Sequence, residues 1–522
     1  MLTRRVDATR PNPAFLISVT DRRFCPPMAL TLLVLVLFLL GAAAMITRVL
    51  PALIALPVMG VAIASGAVVL TGEIGWIDVL GGVVSDGSIM LHKAMIVTFF
   101  GGALSFVMQR SGVAESLVKQ GAELVGADPL AVGIFSLLLV ALLFSSLTGL
   151  GAVIMVSMIV LPMLATVGLS PTAGAGIVLF GMSLGGVLNP ANWVLYVDTL
   201  GVPTEEVKRF ALVLFVVVTL AGAGMILAEV LLGRLVRLER RTLVTLALFL
   251  AAVAGVGALL MSSGADEASA GPGPALVWTR RVVLVGFSAL VAAQLVGVLR
   301  RASRWRHQEP VIRTGAYLIP LVPLVAILLF DAPILAAFVI GFAYAILATA
   351  RPGSMALTVQ SLIEGGASVM PAIVLMFGIG ILISAVKGPP GWAAANPDTV
   401  WPVLGAIEPV LSRLVPASPW SYVLGFGLAA PLALYRGPLN VWGLGFGVAT
   451  ILMTSGNLPG AAIMAMLLSV GQVQGICDPT NTANVWIANH QGVDVNAILF
   501  RTLPFVWGAV LLGLGAAAAF YL

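Results

Sequence analysis

Two short stretches hold ionisable or amide side chains inside otherwise apolar runs. LYRGPLNVWG (434–443) carries Arg436, Gly437, Pro438 and Asn440, and DPTNTAN (478–484) carries Asp478, Thr480, Asn481, Thr482 and Asn484. An ionisable residue in a membrane-length apolar segment is a functional hypothesis by default, because hydrocarbon penalises charge. A guanidinium matches a carboxylate bidentately, which gives Arg436 a substrate anion as partner. Asp478 could take a proton or ligate a sodium ion. The plainer alternative is a structural ion pair between Arg436 and Asp478.

Two matching stretches lie earlier in the chain. FSSLTGLG (144–151) brings Ser145, Ser146, Thr148 and Gly149, and SLGGVLNPANW (183–193) brings Ser183, Gly185, Gly186, Asn189 and Asn192 around Pro190. Hydroxyls and amides both donate and accept without introducing a charge. Pro190 removes an N–H and the glycines permit unwinding. Ser145 alone reads as small-residue helix packing; the cluster at a helix break reads as a binding element. Backbone left unpaired at membrane depth is tolerated only where it lines a cavity or binds something.

The elements that must position these groups follow from composition. Of 522 residues, 60% are hydrophobic and 9% charged. A soluble domain carries roughly 25% charged residues, so most of this surface must face lipid. Two cysteines (Cys25 and Cys477) and three histidines exclude a disulfide framework and a histidine-rich metal centre. No cofactor or resident metal is expected, only a coupling ion, sodium or proton, held among the same residues. The net charge of +5 sits in loops, where it bears on topology and not on nucleic acid.

Runs long enough to cross a bilayer occur at 28–47, 49–71, 89–108, 171–192, 209–232, 243–261, 282–299, 314–330, 332–350, 369–386, 459–480 and 502–521. The blocks 130–166 and 420–455 are interrupted by small and polar residues and read as re-entrant hairpins. The fold expected is an all-α polytopic membrane protein with about twelve transmembrane helices, two hairpins and two unwound helices. VAESLVKQGAELV (113–125) is amphipathic and suits a membrane surface. His92, Lys93, Asp86, Glu364 and Lys387 read as interfacial, His490 as a loop residue, and Trp76, Trp193, Trp420 and Trp442 as anchors or packing.

The chain also repeats itself. Residues 82–109 resemble 362–388, FSSLTGLG lines up with LYRGPLNVWG, and 183–202 match 473–493, in the same order. This divides the chain into a basic tail (1–27), a first repeat (28–232), a linker with two spans (233–309) and a second repeat (310–522). Within the repeats lie hairpin 130–166 with broken helix 171–192, and hairpin 420–455 with broken helix 459–480. An odd number of crossings followed by two linker spans makes the second repeat enter from the opposite side, which is an inverted repeat. Arg234, Arg237, Arg240 and Arg241 in one short loop, and Arg300, Arg301, Arg304 and Arg306 in another, place those loops in the cytoplasm. Counting back puts the N-terminus outside, whereas Arg4, Arg5, Arg10, Arg22 and Arg23 argue for inside. Translation starting at Met28 is an alternative that removes the conflict.

FFGGALSFVMQRSG, the SSLTGLGAVIMVSMIVLPMLATVGLSP block, GMSLGGVLNPANW and GICDPTNTANVW resemble the hairpin and unwound-helix segments of the ion transporter superfamily. That group includes citrate, dicarboxylate and divalent-anion symporters and the large membrane subunits of TRAP transporters. The resemblance covers most of 82–222 and 362–521. It implies hairpin tips and unwound helices that hold a carboxylate and coupling cations. By position these would be Ser145, Ser146, Thr148, Asn189, Asn192, Asn440, Thr480, Asn481 and Thr482. It further implies a homodimer, an elevator-type mechanism and a bacterial inner-membrane location. The Ser-Asn-Thr tip signature of divalent-anion symporters is absent, which leaves substrate and ion open. The function expected is cation-coupled transport of an organic anion, a di- or tricarboxylate, with lipid and that anion as partners. The alternatives are a TRAP-type subunit that needs a soluble binding protein and a sodium/proton antiporter. No Glu-x-x-His or Gly-x-Ser-x-Gly constellation supports an enzyme.

Overall fold

A computed structural model describes residues 26–47, 49–126, 128–233, 247, 251, 274–302, 312–351, 354–396, 399–416, 418–454 and 456–522. These residues form helices and connecting turns, with no strand among them. Nine of the helices are long and apolar enough to cross a membrane. Helix is the outcome because lipid offers backbone N–H and C=O groups no partner, so each segment must satisfy its own. The chain is a multi-pass α-helical membrane protein.

The first half runs α1 (Pro26–Ile46), α2 (Ala52–Thr71), α3 (Asp78–Arg110), α4 (Val113–Val125), α5 (Pro129–Phe144), α6 (Leu150–Thr166), α7 (Pro171–Leu188), α8 (Pro190–Leu200) and α9 (Thr204–Leu232). Helix α10 (Pro274–Ala302) connects the halves. The second half runs α11 (Leu321–Phe330), α12 (Ile334–Ala348), α13 (Ser354–Lys387), α14 (Pro402–Leu414), α15 (Pro419–Ala429), α16 (Phe446–Thr454), α17 (Gly460–Cys477), α18 (Thr482–Gln491) and α19 (Val495–Tyr521). The halves share one order of main helices. Each has two helices, then one of 33 or 34 residues with a π-helical stretch near its start (Asp78–Asp86, Ser361–Gly365). Each continues with a 13-residue amphipathic helix, a hairpin, a helix broken in two and a closing helix.

The packing gives the sense of the repeat. At the α3–α13 seam a Cβ on Gly102 would lie 2.4 Å from Gly365 O, and one on Gly380 would lie 2.2 Å from Gly87 O. Position rises along one helix as it falls along the other, so these equivalent helices are antiparallel. The α9–α19 seam behaves alike: Glu229 pairs with Arg501, Leu214 lies beside Gly513, and the Phe210 and Tyr521 rings stand 6.2 Å apart. Equivalent helices that face each other in opposite directions define an inverted repeat. Small residues at the α3–α13 seam let the two backbones approach closely without a hydrophobic drive.

The hairpins are too short to span. Helices α5 and α6 have 16 and 17 residues; at 1.5 Å per residue each rises about 25 Å, less than the ~30 Å hydrocarbon core. Helices α15 and α16 are shorter, at 11 and 9 residues.

Some boundaries differ from those read in the sequence. The broken spans do not stop near residues 192 and 480 but continue as α8 to Leu200 and α18 to Gln491. Pro190 starts a new helix, where its missing N–H is no loss. Helix α13 begins fifteen residues before the expected 369, at Ser354. The expected span 282–299 lies within α10; 243–261, apart from residues 247 and 251, falls outside the described residues, as does the expected tail 1–27 apart from its last two residues, which begin α1.

Candidate functional site

The two broken helices use the same device. Helix α7 stops at Leu188, and Asn189 turns extended and accepts a 3.0 Å hydrogen bond from Ala191 N, which caps α8. Asn192 Nδ2 donates to Gly186 O at 2.8 Å and Trp193 Nε1 to Val187 O at 2.8 Å, so side chains take up carbonyls left by the break. In the second half Asn481 caps α18 through Ala483 N at 3.2 Å, and Asn484 Nδ2 donates to Ile476 O at 2.9 Å. The shared Asn-x-Ala-Asn spacing therefore builds two equivalent helix breaks, with Thr482 standing where the first half has Pro190.

The second hairpin tip is folded tightly. Tyr435 (φ 55°) and Arg436 (φ 57°) are both left-handed. Gly437 follows where a Cβ would lie 2.1 Å from Leu432 O, so no side chain fits. Asp478, at the second break, faces this tip from α17. Its carboxylate accepts from Tyr435 N (3.0 Å), Arg436 N (3.4 Å), Asn440 Nδ2 (3.4 Å), Thr480 N (2.9 Å) and Thr480 Oγ1 (2.7 Å). Asp478 is 1% exposed. The expected alternative of an Arg436–Asp478 ion pair is not what forms: the carboxylate meets the backbone N–H of Arg436. Among the described residues the guanidinium has no ion pair and no hydrogen-bond partner.

Between the two breaks and this tip lies a cavity of about 340 Å³. Seven residues singled out in the sequence line it: Ser183, Gly186, Asn192, Arg436, Asn440, Asp478 and Asn481. Ser183 Oγ donates to Gln472 Oε1 at 2.8 Å across the two broken helices, and a Cβ on Gly475 would lie 2.6 Å from that hydroxyl. Thr480 touches the wall through Asp478, and Thr482 opens α18 behind it. Asn484 is buried, with Oδ1 unpartnered, but is not on the wall.

The first hairpin tip stands apart from this cavity. Ser145 Oγ donates to Leu142 O at 2.7 Å, within its own helix end, and Ser146 Oγ to Pro320 O. The backbone carbonyl of Thr148 accepts from Ser105 Oγ at 3.1 Å, its hydroxyl is buried without a partner, and Gly149 (φ 87°) lies against Ser368. Asn189 Nδ2 ties the first break to this tip through Phe144 O at 3.1 Å.

Several wall residues were not anticipated. Gln472 and Gln474 line the cavity, and Gln474 Oε1 accepts from Val441 N at 2.7 Å. Two amides in an otherwise apolar helix were the available signal. Tyr196 and Trp442 also line it, beside apolar residues such as Leu195 and Leu467, so Trp442 is a cavity residue and not a membrane anchor. Of the lesser candidates, Lys93 pairs with Asp198 at 3.8 Å, Glu364 with Arg110 at 3.8 Å, and His490 stacks on Trp486 with ring centroids 4.9 Å apart. None of these lines the cavity.

No protein-family profile and no curated protein matches the chain. Among solved structures it is similar to MtrF of Neisseria gonorrhoeae, described within a class of antimetabolite efflux pumps, at 15% identity and a TM-score of 0.49, over 87% of this chain and 85% of that one. It is also similar to the YdaH transporter of Alcanivorax borkumensis, described as having an unusual topology, at 15% identity and a TM-score of 0.48, over 95% of this chain and 98% of that one. Likeness at this level decides neither family nor activity.

Proposed function

We propose that this protein is a secondary active transporter of the bacterial inner membrane that carries a small organic anion, a di- or tricarboxylate, coupled to sodium or protons. The observation that carries the reading is Arg436: a guanidinium with no ion pair or hydrogen-bond partner among the described residues, on the wall of a cavity between two helix breaks. A permanent cation in such a place is unfavourable unless something pairs with it. A carboxylate ligand supplies that partner, and the wall amides of Asn192, Asn481 and Gln474 supply further hydrogen bonds. The volume falls within the range of small-molecule sites, roughly 300–1,000 Å³. The inverted repeat fits alternating access, one half moving against the other around a shared site.

An antiporter in which Asp478 exchanges sodium for protons is the weaker reading, since that carboxylate is already engaged by five donors.

The test is uptake of radiolabelled succinate, malate, citrate, gluconate and lactate into proteoliposomes under an imposed sodium or proton gradient. Wild type is expected to take up at least one of these. Arg436→Ala is expected to raise KM by about 30-fold or more, the equivalent of roughly 2 kcal/mol of lost charge pairing, and Arg436→Lys to recover part of it. Undiminished uptake by Arg436→Ala would sink the proposal. So would gradient-driven sodium–proton exchange without uptake of any anion.

A further inference from the structure

Only three non-glycine residues among those described have positive φ, and two of them, Tyr435 and Arg436, are consecutive at the second hairpin tip. L side chains rarely adopt this region, so something outside the tip must hold it there. The backbone N–H groups of both residues point at one carboxylate: Tyr435 N lies 3.0 Å from Asp478 Oδ1, and Arg436 N lies 3.4 Å from Oδ2. Asp478 sits 42 residues further along the chain from Arg436, on a different element, and is itself fixed by Thr480 at 2.7 Å.

The carboxylate is already engaged on both oxygens, most closely on Oδ1. An ionised carboxylate offers about four lone-pair sites, and here five N–H and O–H donors converge on them. A cation would have to displace these donors. The Arg436 guanidinium, meanwhile, is left for something other than Asp478.

We propose that Asp478 is a positioning residue: by gripping the N–H groups of Tyr435 and Arg436 it holds the tip left-handed and so places the Arg436 side chain at the cavity for the substrate anion. The inference rests on the reading that Arg436 binds that anion. It assigns Asp478 neither an ion pair nor a coupling cation, and it makes the tip conformation a determinant of substrate affinity.

The test uses the full chain in proteoliposomes, with whichever of succinate, malate, citrate, gluconate and lactate the wild type takes up. Asp478→Asn keeps the size but turns one acceptor into a donor that faces other donors. It is expected to raise KM about tenfold or more while kcat changes by less than about threefold, the pattern of weakened ground-state binding. Tyr435→Gly in the Asp478→Asn background removes the resistance to positive φ and is expected to bring KM back to within about threefold of wild type. Should Asp478→Asn not yield a monodisperse protein, Tyr435→Val probes the same tip with Asp478 in place. A β-branched side chain opposes positive φ, and KM is again expected to rise about tenfold. An unchanged KM in Tyr435→Val overturns the inference, as does an Asp478→Asn defect that glycine at 435 leaves untouched. If Arg436→Ala abolishes uptake while these variants behave as wild type, the transport reading stands and only the role of Asp478 falls.

Discussion

At the scale of single residues, the second hairpin tip is where a small change should do most. Gly437 has no room for a Cβ, because Leu432 O lies 2.1 Å from where it would sit and is backbone that cannot swing aside. Gly437→Ala must therefore shift the turn that carries Arg436. We expect a protein that still folds, with the affected contact worth roughly 1–3 kcal/mol, and a rise in substrate KM in the uptake assay. A wild-type KM would show that the tip tolerates displacement. Gly475 is the contrasting case: a Cβ there would meet the hydroxyl of Ser183, which can rotate. Thr480, Asn440 and Asp478 were each legible in the sequence as polar groups in an apolar run. That the Asp478 carboxylate takes the backbone N–H groups of residues 435 and 436, with Thr480 and Asn440 donating to the same carboxylate, was not legible, because main-chain donors leave no sequence signature.

At the scale of elements, helices α9, α10 and the α11–α12 turn meet at one charged joint. Asp331, left-handed at φ 52°, accepts from Lys208 Nζ at 3.0 Å and Arg280 at 2.6 Å. Burial alone would push the Asp331 carboxyl up, but hydrogen bonds and charge from Lys208 and Arg280 hold it below its ordinary value. A carboxylate with a lowered pKa in the folded state contributes stability above its unfolded pKa and loses it as pH falls through the folded value. Asp331→Asn should therefore lower the melting temperature at neutral pH, and the gap to wild type should close below about pH 4. Because Asp331 is 43% exposed, the effect should stay within about 1 kcal/mol. A gap that persists in strong acid would mean that Asp331 acts through its turn geometry and not its charge. The sequence showed the hairpins and breaks as interruptions in apolar runs. It did not show that each broken span continues past its break, since ten or eleven residues of half-helix are too short to register as a membrane span.

At the scale of the whole molecule, the two faces of the bundle differ in charge. Arg351 donates to Arg110 O at 3.5 Å and Arg313 to Ala350 O at 2.9 Å, which gathers basic residues at the end of α3. Lys208 and Arg280, near the starts of α9 and α10, share Asp331 on the other face, so those two helices run the same way. Both end toward the Arg110 face; Arg300 and Arg301 stand in the last turn of α10, and the sequence just beyond the two helices carries Arg234, Arg237, Arg240, Arg241, Arg304 and Arg306. We expect this face to be cytoplasmic. In a background of Cys25→Ser and Cys477→Ser, Glu205→Cys should react with an impermeant maleimide in intact cells. Glu123→Cys should react only after permeabilisation. The opposite pattern would invert the assignment and give the basic tail the deciding vote.

The sequence by itself determined the class of molecule, the internal repeat and the places where helix fails. Each of these is a local consequence: lipid demands apolar runs of a certain length, and Pro190, the Asn-x-Ala-Asn spacings and the Gly-rich tips break helix wherever they stand. Only the tertiary structure decided which polar groups share a cavity. Arg436, Asn192 and Asn481 converge there from different elements, whereas Ser145 and Ser146 turn to nearby carbonyls. The reason lies in the inverted packing: α3 against α13 and α9 against α19 set the two halves face to face. What meets across that interface depends on helix direction and register, which no single stretch of sequence encodes.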